Sequence, residues 1–339
     1  MTSVLYISNY KQGTGGISAQ VEMLHRYIQQ EGYSSDIFST KGNPIKRIGL
    51  LLQLLCIIRR YDIVHIHACS DRGMLPVIYG VIAGKIWGKH IVITYHGGGA
   101  ADYFERHGAF ARRWLKRADK VIVLNGYLDN VFEQYGIPHV VIPNIITLRE
   151  DVYVPKKAIA PKIISIRHLR ELYRIDSIIK AYQKISAHYP DATLDILGQG
   201  DQREALEQYV NEHRLKGVRF VGQVHNEQIY DYLRANDIMV SAPRVDNMPV
   251  SVLEAMNAGL LVISSNVGGV PYMIEHQRTG LLFESNQDSD ISNRIAEQIE
   301  WTLEHQEECL QIIKAAHKEV QRYSWKEVRK QILMIYESL

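Results

Sequence analysis

Short runs of apolar, often β-branched residues alternate along the first half of the chain with longer segments that repeat apolar residues at helical spacing. Strands are predicted at 4–8, 36–39, 62–67, 91–95 and 120–124, and helices at about 18–30, 44–60, 76–87 and up to about 118. Nearly continuous apolar strands that alternate with helices are typical of a parallel sheet with helices on both faces. The pattern therefore predicts an α/β fold with a doubly wound sheet.

The alternation is interrupted at 147–161, where charged residues cluster with Pro155 and Pro161. Such a segment predicts a linker. Beyond it, strands are predicted at 162–167, 193–197, 218–221, 237–241 and 260–264, and a last helix with an apolar stripe at 325–339. We therefore expect two doubly wound domains, 1–155 and 156–322, and a C-terminal helical segment, 323–339. Ligands of such sheets bind beyond the carboxyl ends of the strands.

The segment 246–256 predicts an anion site at the start of a helix. It follows the apolar run 237–241 and leads into an Ala-rich helical pattern that stops at Gly259. Pro249 suits the first turn of a helix and not its interior, so the helix is expected to begin near Val250. Free backbone N–H groups and the positive end of the helix dipole then face the same space, which favours a phosphate.

Two carboxylates flank this predicted anion site. Asp246 lies in the loop before the helix, and Glu254 lies about one turn inside it. Carboxylates accept hydrogen bonds from hydroxyl groups, so the site suits a ligand that carries both hydroxyls and phosphates. A nucleotide-sugar has this composition. The alternative is structural: Asp246 shapes the turn, Glu254 lies on the helix surface, and the amides only cap the helix.

Composition narrows the class of protein. The chain of 339 residues is long enough for two domains. Its longest apolar run, 48–58, is interrupted by Gln53 and is shorter than the roughly 20 residues that a membrane span needs. The chain enters a strand directly at 4–8, so no signal peptide is expected. Three scattered cysteines, Cys56, Cys69 and Cys309, predict a reducing compartment and hence a cytoplasmic protein.

Charge is uneven along the chain, although the net charge is only +2. Residues 1–150 hold 17 Lys and Arg against 11 Asp and Glu, and the remaining residues hold 22 against 26. This excess is too small to indicate a nucleic-acid partner. Two basic clusters in the first half indicate either peripheral contact with an anionic membrane or the solvated ends of core helices. They are Lys46, Arg47, Arg59 and Arg60, and Arg112, Arg113, Lys116 and Arg117.

Several motifs occur in an order that resembles a known family. They are Gly15-Gly16, the strand 62–67, Tyr95-His96-Gly97, Leu197-Gly198-Gln199-Gly200, the segment 246–256 and Gly268-Gly269-Val270-Pro271. From Tyr6 to Tyr336 the chain resembles the retaining GT-B glycosyltransferases of family 4. The resemblance implies two Rossmann-like domains that face a central cleft, the first for the acceptor and the second for the donor. It also implies that the last helix returns to the first domain.

The resemblance implies roles for individual residues. Glu254 would bind the ribose hydroxyls of the donor, and Asp246, where the family usually has Glu, would bind hydroxyls of the transferred sugar. His96 would contact that sugar beside the reacting carbon, and Gly15 and Gly16 would lie near the diphosphate. The rest of the donor would contact Asn247, Met248, Pro249, Val250 and Ser251. The resemblance implies no metal and no cofactor; the nucleoside diphosphate-sugar is a co-substrate.

The segment 167–174 departs from the family pattern. The family has Arg and Lys after the first strand of the second domain, where this chain has His168 and Tyr173. A leaving diphosphate needs positive charge, so we expect Arg167 and His168 to supply it. Arg170, Arg174 and Arg244 are alternatives. The opposite interpretation is that these arginines are solvated surface charge.

Together these features predict an enzyme that moves a hexose-type sugar from a nucleoside diphosphate donor to a glycan or lipid-linked glycan. The family resemblance implies a setting in surface polysaccharide biosynthesis, and the expected location is the cytoplasm, either free or at the inner face of the membrane. One alternative is a sugar-nucleotide 2-epimerase of the same architecture, which needs more acid/base carboxylates than the sequence shows. Another is a non-catalytic subunit that binds a nucleotide-sugar or glycan. His65 and His67 share one face of a strand, but no cluster supplies the further ligands that a metal needs.

Overall fold

The computed structural model describes residues 2–339 except 13–14, 43, 226–227 and 286–289, and the side chains of 44–48 and 150 also lie outside the described part. The chain forms two compact units. Unit 1 comprises Met1–Thr147 and Tyr323–Leu339, and unit 2 comprises Leu148–Arg322. The first change of unit falls at the start of the segment predicted as a linker.

Strands and helices alternate through both units. The strands are β1 (Ser3–Ser8), β2 (Ser34–Ser39), β3 (Ile63–Ala68), β4 (His90–Tyr95), β5 (Lys120–Val123), β6 (Val140–Val141), β7 (Lys162–Ile166), β8 (Thr193–Leu197), β9 (Val218–Gly222), β10 (Ile238–Ser241), β11 (Leu261–Ser265) and β12 (Leu281–Phe283). The helices are α1 (Gly16–Gln30), α2 (Pro44–Ile57), α3 (Leu75–Ile86), α4 (Ala100–Leu115), α5 (Gly126–Gln134), α6 (Ile175–His188), α7 (Arg203–Glu212), α8 (Ile229–Ala235), α9 (Val250–Ala258), α10 (Ile291–Glu304), α11 (Gln306–Glu319) and α12 (Trp325–Glu337).

Among the described residues, each unit contains one parallel sheet of six strands. The strand order is β2-β1-β3-β4-β5-β6 in unit 1 and β12-β11-β10-β7-β8-β9 in unit 2. The direction of strand addition reverses between β1 and β3 and between β7 and β10. Each of these places is the switch point of its sheet. Connections leave such neighbouring strands on opposite faces of the sheet, and this opens a crevice beyond their carboxyl ends. The fold thus favours ligand sites after Ser8 and Ala68 in unit 1 and after Ile166 and Ser241 in unit 2.

The C-terminal helix α12 belongs to the core of unit 1. Its apolar stripe packs with residues of β1, β3 and α1, and comprises Trp325, Val328, Ile332, Ile335 and Tyr336. The stripe buries an apolar surface that a helix of this length could not keep exposed in water. The described helix therefore completes the unit whose strands lie more than 180 residues earlier in the chain.

A buried polar network fixes α12 to the sheet of unit 1. The Tyr336 hydroxyl lies 2.6 Å from His65 Nδ1 and 3.2 Å from the Tyr6 hydroxyl, and His65 Nε2 lies 2.7 Å from Thr94 Oγ1. Burial lowers the pKa of His65 to about 3. The ring is therefore neutral, with one nitrogen that donates and one that accepts, and a hydroxyl satisfies each of them.

Replacing Tyr336 by Phe is expected to lower the free energy of unfolding of unit 1 by about 1–3 kcal/mol, because His65 Nδ1 would stay buried without a partner. Urea unfolding followed by near-ultraviolet dichroism measures this. Met334→Ala is the matched control, since that side chain lies on the same helix and is 67% exposed. Equal midpoints for Tyr336→Phe and the wild type would show that the network contributes no stability.

Two edge strands were not predicted from the sequence, namely β6 and β12. They have two and three residues, respectively, and each pairs with a single neighbouring strand. The period-2 signal of a strand needs about four residues to stand out from its surroundings, so runs this short give no pattern. The other strands, and the helices that the sequence predicted (α1, α2, α3, α4, α9 and α12), lie within a few residues of their predicted ends. No positions were predicted for α5, α6, α7, α8, α10 and α11.

Candidate active site

The helix α9 begins and ends where the sequence predicted. It starts at Val250 after Pro249, and Gly259 ends it with a left-handed backbone (φ 79°). No described side chain caps its N-terminus. The N–H groups of Val250 and Ser251 are among those that a helix leaves without an intrahelical partner. The Ser251 hydroxyl is buried and has no hydrogen-bond partner among the described residues. This helix end therefore offers unused donors to an anion.

An ion pair lies beside that helix end, at the crevice between β7 and β10. Arg167 follows β7, and its Nη2 is 3.0 Å from Asp246 Oδ2, with only 10% and 18% of the two side chains exposed. The same guanidinium donates to the hydroxyl of Ser241, the last residue of β10, at 2.9 and 3.2 Å. Asp246 Oδ1 accepts the N–H of Asn247 at 2.8 Å. Arg167 is therefore a fixed, mostly buried cation and not a solvated surface charge.

The other residues named in the segment 167–174, and Arg244, differ in their surroundings. His168 is exposed, and Tyr173 is partly buried, with the Arg167 guanidinium 5.6 Å from the centre of its ring. Burial raises the pKa of Tyr173, so its hydroxyl stays neutral. Arg244 lies 3.6 Å from Glu171, which is 82% exposed. Arg170 is exposed, whereas Arg174 is buried.

Glu254 lies on the second turn of α9 and is partly buried. Burial raises its pKa from 4.5 to about 7. Among the described residues no cation forms an ion pair with it, so none of them offsets the free energy of ionising this carboxyl by such a pair. A carboxyl in this state gains most from a ligand that donates hydrogen bonds to it.

The turn after β11 supports Asp246 through a close backbone contact. Gly268 has a left-handed backbone (φ 51°), and a Cβ at this position would lie 2.1 Å from the Asp246 carbonyl oxygen. Gly269 donates its N–H to the same oxygen at 3.1 Å. Only glycine permits this approach, because any side chain would overlap with the backbone of Asp246. The glycine pair thus holds the loop that carries the ion pair.

Replacing Gly268 by Ala is expected to displace Asp246 and to lower the thermal midpoint by several degrees, because both the clash and the left-handed backbone are unfavourable. Differential scanning fluorimetry would measure the shift. Gly49→Ala is a suitable control, since no heavy atom lies within 4 Å of the Cβ position there. An unchanged midpoint would mean that the turn adapts without cost.

A second candidate region in unit 1 lies beyond the carboxyl ends of β3 and β4. His67 Nδ1 is 2.9 Å from His96 Nε2, and their rings stack with centroids 5.1 Å apart. Burial lowers the pKa of His96 to about 3 and the pKa of His67 well below its ordinary value, so both rings are neutral. A cavity of about 20 Å³ borders both histidines together with Asn144 and Gln20. It has room for one water molecule.

The glycine loop of unit 1 is described only in part. Residues 13–14 lie outside the described part of the chain. Gly15 precedes α1 with φ 78°, and no heavy atom lies within 4 Å of a Cβ placed at Gly16. This loop follows β1, on the other side of the crevice from β3, so Gly15 and Gly16 lie at the switch point of the unit 1 sheet.

Sequence reasoning missed three contributors to these regions. Ser241 was assigned only to a strand, the contact of Gly268 with Asp246 was not foreseen, and His67 was not paired with His96. The sequence gives no signal for the role of Ser241, because β7 and β10 are neighbours only in the folded sheet. Among the described residues there is no group of three or more His, Cys, Asp or Glu that could hold a metal ion. None of the described helices has the length and apolar character needed to span a bilayer.

Comparison with known families identifies the class of protein. Two family models match successive parts of the chain: Glycosyltransferase Family 4 over residues 41–150 and Glycosyl transferases group 1 over residues 151–319. The chain belongs to this family of group 1 glycosyltransferases, as its motifs predicted. Its two parallel six-stranded sheets have the GT-B fold. The crystal structure of Anabaena HepE in complex with UDP and glucose has a TM-score of 0.81 at 18% identity, and each chain is covered completely (100%).

Curated relatives are similar over part of their length. The gpi3 subunit of phosphatidylinositol N-acetylglucosaminyltransferase from Schizosaccharomyces pombe is 28% identical over 204 residues, which are 59% of this chain and 43% of that protein. A glycogen synthase of Mycobacterium tuberculosis is 24% identical over 265 residues, 71% of this chain and 61% of that enzyme. The match spans less than two thirds of the length of either relative.

Proposed function

We propose that the chain is a retaining glycosyltransferase that moves a hexose-type sugar from a nucleoside diphosphate-sugar to a hydroxyl of a glycan or lipid-linked glycan. The observation that carries this proposal is the arrangement at the unit 2 switch point. Three features lie on α9 or on the loop that leads into it. They are the N-terminus of α9, which no described side chain caps, the ion pair between Arg167 and Asp246, and the Glu254 carboxyl, which pairs with no described cation. These groups match the diphosphate, the sugar and the ribose of such a donor, respectively.

The diphosphate would be stabilised by fixed positive charge as it leaves. Arg167 and the N–H groups of Val250 and Ser251 would supply that charge, and His168 is close enough in the chain to add a donor. Preorganised charge of this kind contributes to catalysis because it needs no rearrangement when the bond breaks. For this reason we propose that transfer needs no metal and no cofactor. Undiminished turnover in excess EDTA supports this; loss of activity that Mg²⁺ or Mn²⁺ restores would contradict it.

Within unit 2, the donor sugar would contact Asp246 and the segment 247–251. HepE was crystallised with UDP and glucose, which supports a nucleoside diphosphate-hexose as the donor class. In unit 1, His96 is neutral, so it can accept a hydrogen bond from a sugar hydroxyl or donate one to an oxygen without adding a charge. Asp246 is one methylene shorter than the Glu usual in the family, and its ion pair with Arg167 fixes its direction.

The acceptor would be a glycan, carried on a lipid, in a surface polysaccharide pathway. The relative from S. pombe is named for a phosphatidylinositol acceptor, which supports a lipid-linked substrate. We propose that the chain acts in the cytoplasm, at the inner face of the membrane. Its three cysteines are free thiols, as a reducing compartment requires.

The test is a donor screen followed by a turnover assay. Thermal shift with UDP-, GDP- and TDP-hexoses should single out one donor, because at equal concentration a ligand that binds the folded state more tightly raises the midpoint further. That donor, incubated with cell-envelope lipid acceptors, should release nucleoside diphosphate, and NMR of the product should show the anomeric configuration of the donor. Epimerised donor without acceptor would instead indicate a 2-epimerase. Binding without turnover on any acceptor would indicate a non-catalytic subunit.

A further inference from the structure

Three of the most exposed large apolar side chains of unit 1 lie where α2 and α3 meet. They are Leu52 on α2 and Ile86 and Trp87 at the end of α3, with 61%, 62% and 45% of each exposed. Trp87 donates its indole N–H to the Leu55 carbonyl oxygen at 2.8 Å, and this bond holds the end of α3 against α2. Leu52 and Leu55 are one turn apart and therefore share a face of α2.

Basic residues lie at the ends of the same two helices. Arg59 and Arg60 follow α2 and are exposed, and Lys85 lies in the last turn of α3. Lys89 donates to the Arg59 carbonyl oxygen at 3.0 Å, which places its ammonium beside the end of α2. Two acidic residues interact with this group: Asp119 lies 3.6 Å from Lys85, and Asp62 interacts electrostatically with Lys89. Lys46 and Arg47, predicted to belong to this cluster, have side chains outside the described part.

We infer that this surface, the α2–α3 patch (Leu52, Arg59, Arg60, Lys85, Ile86, Trp87 and Lys89), is a docking site for an anionic lipid bilayer. An exposed Trp beside aliphatic side chains enters the interfacial layer, where the ring is apolar and its N–H stays near polar groups. Lys and Arg around it face the lipid phosphates. The inference assigns the proposed membrane contact to a defined surface of unit 1. It rests on the proposed function only in that the acceptor there is lipid-linked.

The second basic cluster fits a bilayer less well. It comprises Arg112, Arg113, Lys116 and Arg117, of which Arg117 lies over the Trp114 ring, 5.2 Å from its centre. That guanidinium already covers the aromatic face that would otherwise enter the lipid. Phe110 is exposed by 43%, and it contributes one apolar ring where the α2–α3 patch contributes three side chains. Charge alone, without inserted apolar groups, gives weaker and more salt-sensitive binding.

Vesicle flotation tests the inference on the full chain. Vesicles of phosphatidylcholine that contain about 30% phosphatidylglycerol represent an anionic leaflet, and vesicles of phosphatidylcholine alone are the neutral comparison. We expect the wild type to bind the anionic vesicles at low salt and to bind the neutral vesicles at least tenfold less. The variant Ile86→Ser/Trp87→Ala should bind the anionic vesicles tenfold less than the wild type, or weaker still. Arg59→Gln/Arg60→Gln should weaken binding and flatten its salt dependence.

Matched controls separate this surface from exposed residues elsewhere. Tyr272→Ala removes an aromatic side chain of unit 2 that is 44% exposed, and Lys326→Gln/Lys330→Gln removes two exposed charges on α12. Both should bind as the wild type does. Absence of binding to anionic vesicles at low salt would overturn the inference. A loss of vesicle binding that appears only in Arg112→Gln/Arg113→Gln would also overturn it. The same holds if sedimentation shows that the patch joins two copies of the chain.

A second measurement uses the wild type and one conservative variant. Brominated lipids quench tryptophan that enters the bilayer, and the wild type has four tryptophans. Quenching by anionic vesicles should disappear in Trp87→Phe, which keeps an apolar ring. Persistent quenching in that variant would contradict docking through the patch. Release of nucleoside diphosphate from donor alone should be unchanged in Ile86→Ser/Trp87→Ala, so failure of docking and failure of the proposed enzyme activity are distinguishable.

Discussion

Replacing Glu254 by Gln is expected to lower kcat/KM for the donor by about ten- to a hundred-fold, through a higher KM and with little change in kcat. A hydrogen bond to a charged group contributes about 1.5–3 kcal/mol, which corresponds to this range of rate. The ribose lies away from the bond that breaks, so the interaction is the same in the ground state and the transition state. Loss of such uniform binding raises KM. Initial rates over a range of donor concentrations measure both constants.

The same variant should be more stable than the wild type without donor. The pKa of Glu254 is raised from 4.5 to about 7, so the native state binds more protons than the unfolded state between these values. The wild type therefore loses stability as pH rises from 4.5 to 7, by up to about 2 kcal/mol for a partly buried group that water screens. Gln does not titrate, so Glu254→Gln should keep that stability at pH 8.

The control for this pair of effects is Glu204→Gln, an exposed glutamate near the start of α7. It should change neither KM nor the pH dependence of the urea midpoint. A Glu254→Gln enzyme with wild-type KM would remove the ribose assignment. Unchanged stability at pH 8 would instead show that Glu254 is better hydrated than its burial indicates, and would leave the assignment to the ribose untouched.

Much of the architecture follows from local patterns in the sequence. The strands that lead to the candidate sites, β3, β4, β7 and β10, are apolar runs of four to six residues, and the boundaries of α9 follow from Pro249 and Gly259. These are short-range signals: period, a residue without an N–H, and a residue that accepts a left-handed backbone. The position of Glu254 on α9 could therefore be predicted without any tertiary information.

The parts of the site that were missed depend on long-range neighbours. Arg167 and Asp246 are 79 positions apart in the sequence, and they meet because β10 adds beside β7 and not beside β9. Strand order is not encoded in the pattern of a single strand. The same holds for His67 and His96, which meet because β3 and β4 pair with Ala68 opposite Tyr95. The sequence shows that His168 and Tyr173 depart from the family pattern. It does not show which arginine lies beside the Tyr173 ring.

Replacing Arg167 by Met is expected to lower kcat by a hundred-fold or more and to reduce stability. Loss of a preorganised group that stabilises developing charge costs about 10²–10³ in rate. Removal of the cation also leaves Asp246 mostly buried and without its ion pair, which costs about 1–3 kcal/mol. Arg167→Lys should recover part of the charge effect only, since Lys has neither the planar fork that reaches Ser241 and Asp246 together nor the contact with the Tyr173 ring. Arg170→Gln, an exposed neighbour, is the control.

The double variant Arg167→Met/Asp246→Asn separates the structural from the catalytic contribution. Removing both charges leaves no unpaired ion, so the urea midpoint should return towards that of the wild type, whereas kcat should stay at least as low as in Arg167→Met. Affinity for the free nucleoside diphosphate, measured by calorimetry, should fall in both variants. Should turnover recover together with stability, Arg167 would serve only to neutralise Asp246, and the charge on the leaving diphosphate would have to come from the end of α9 and His168.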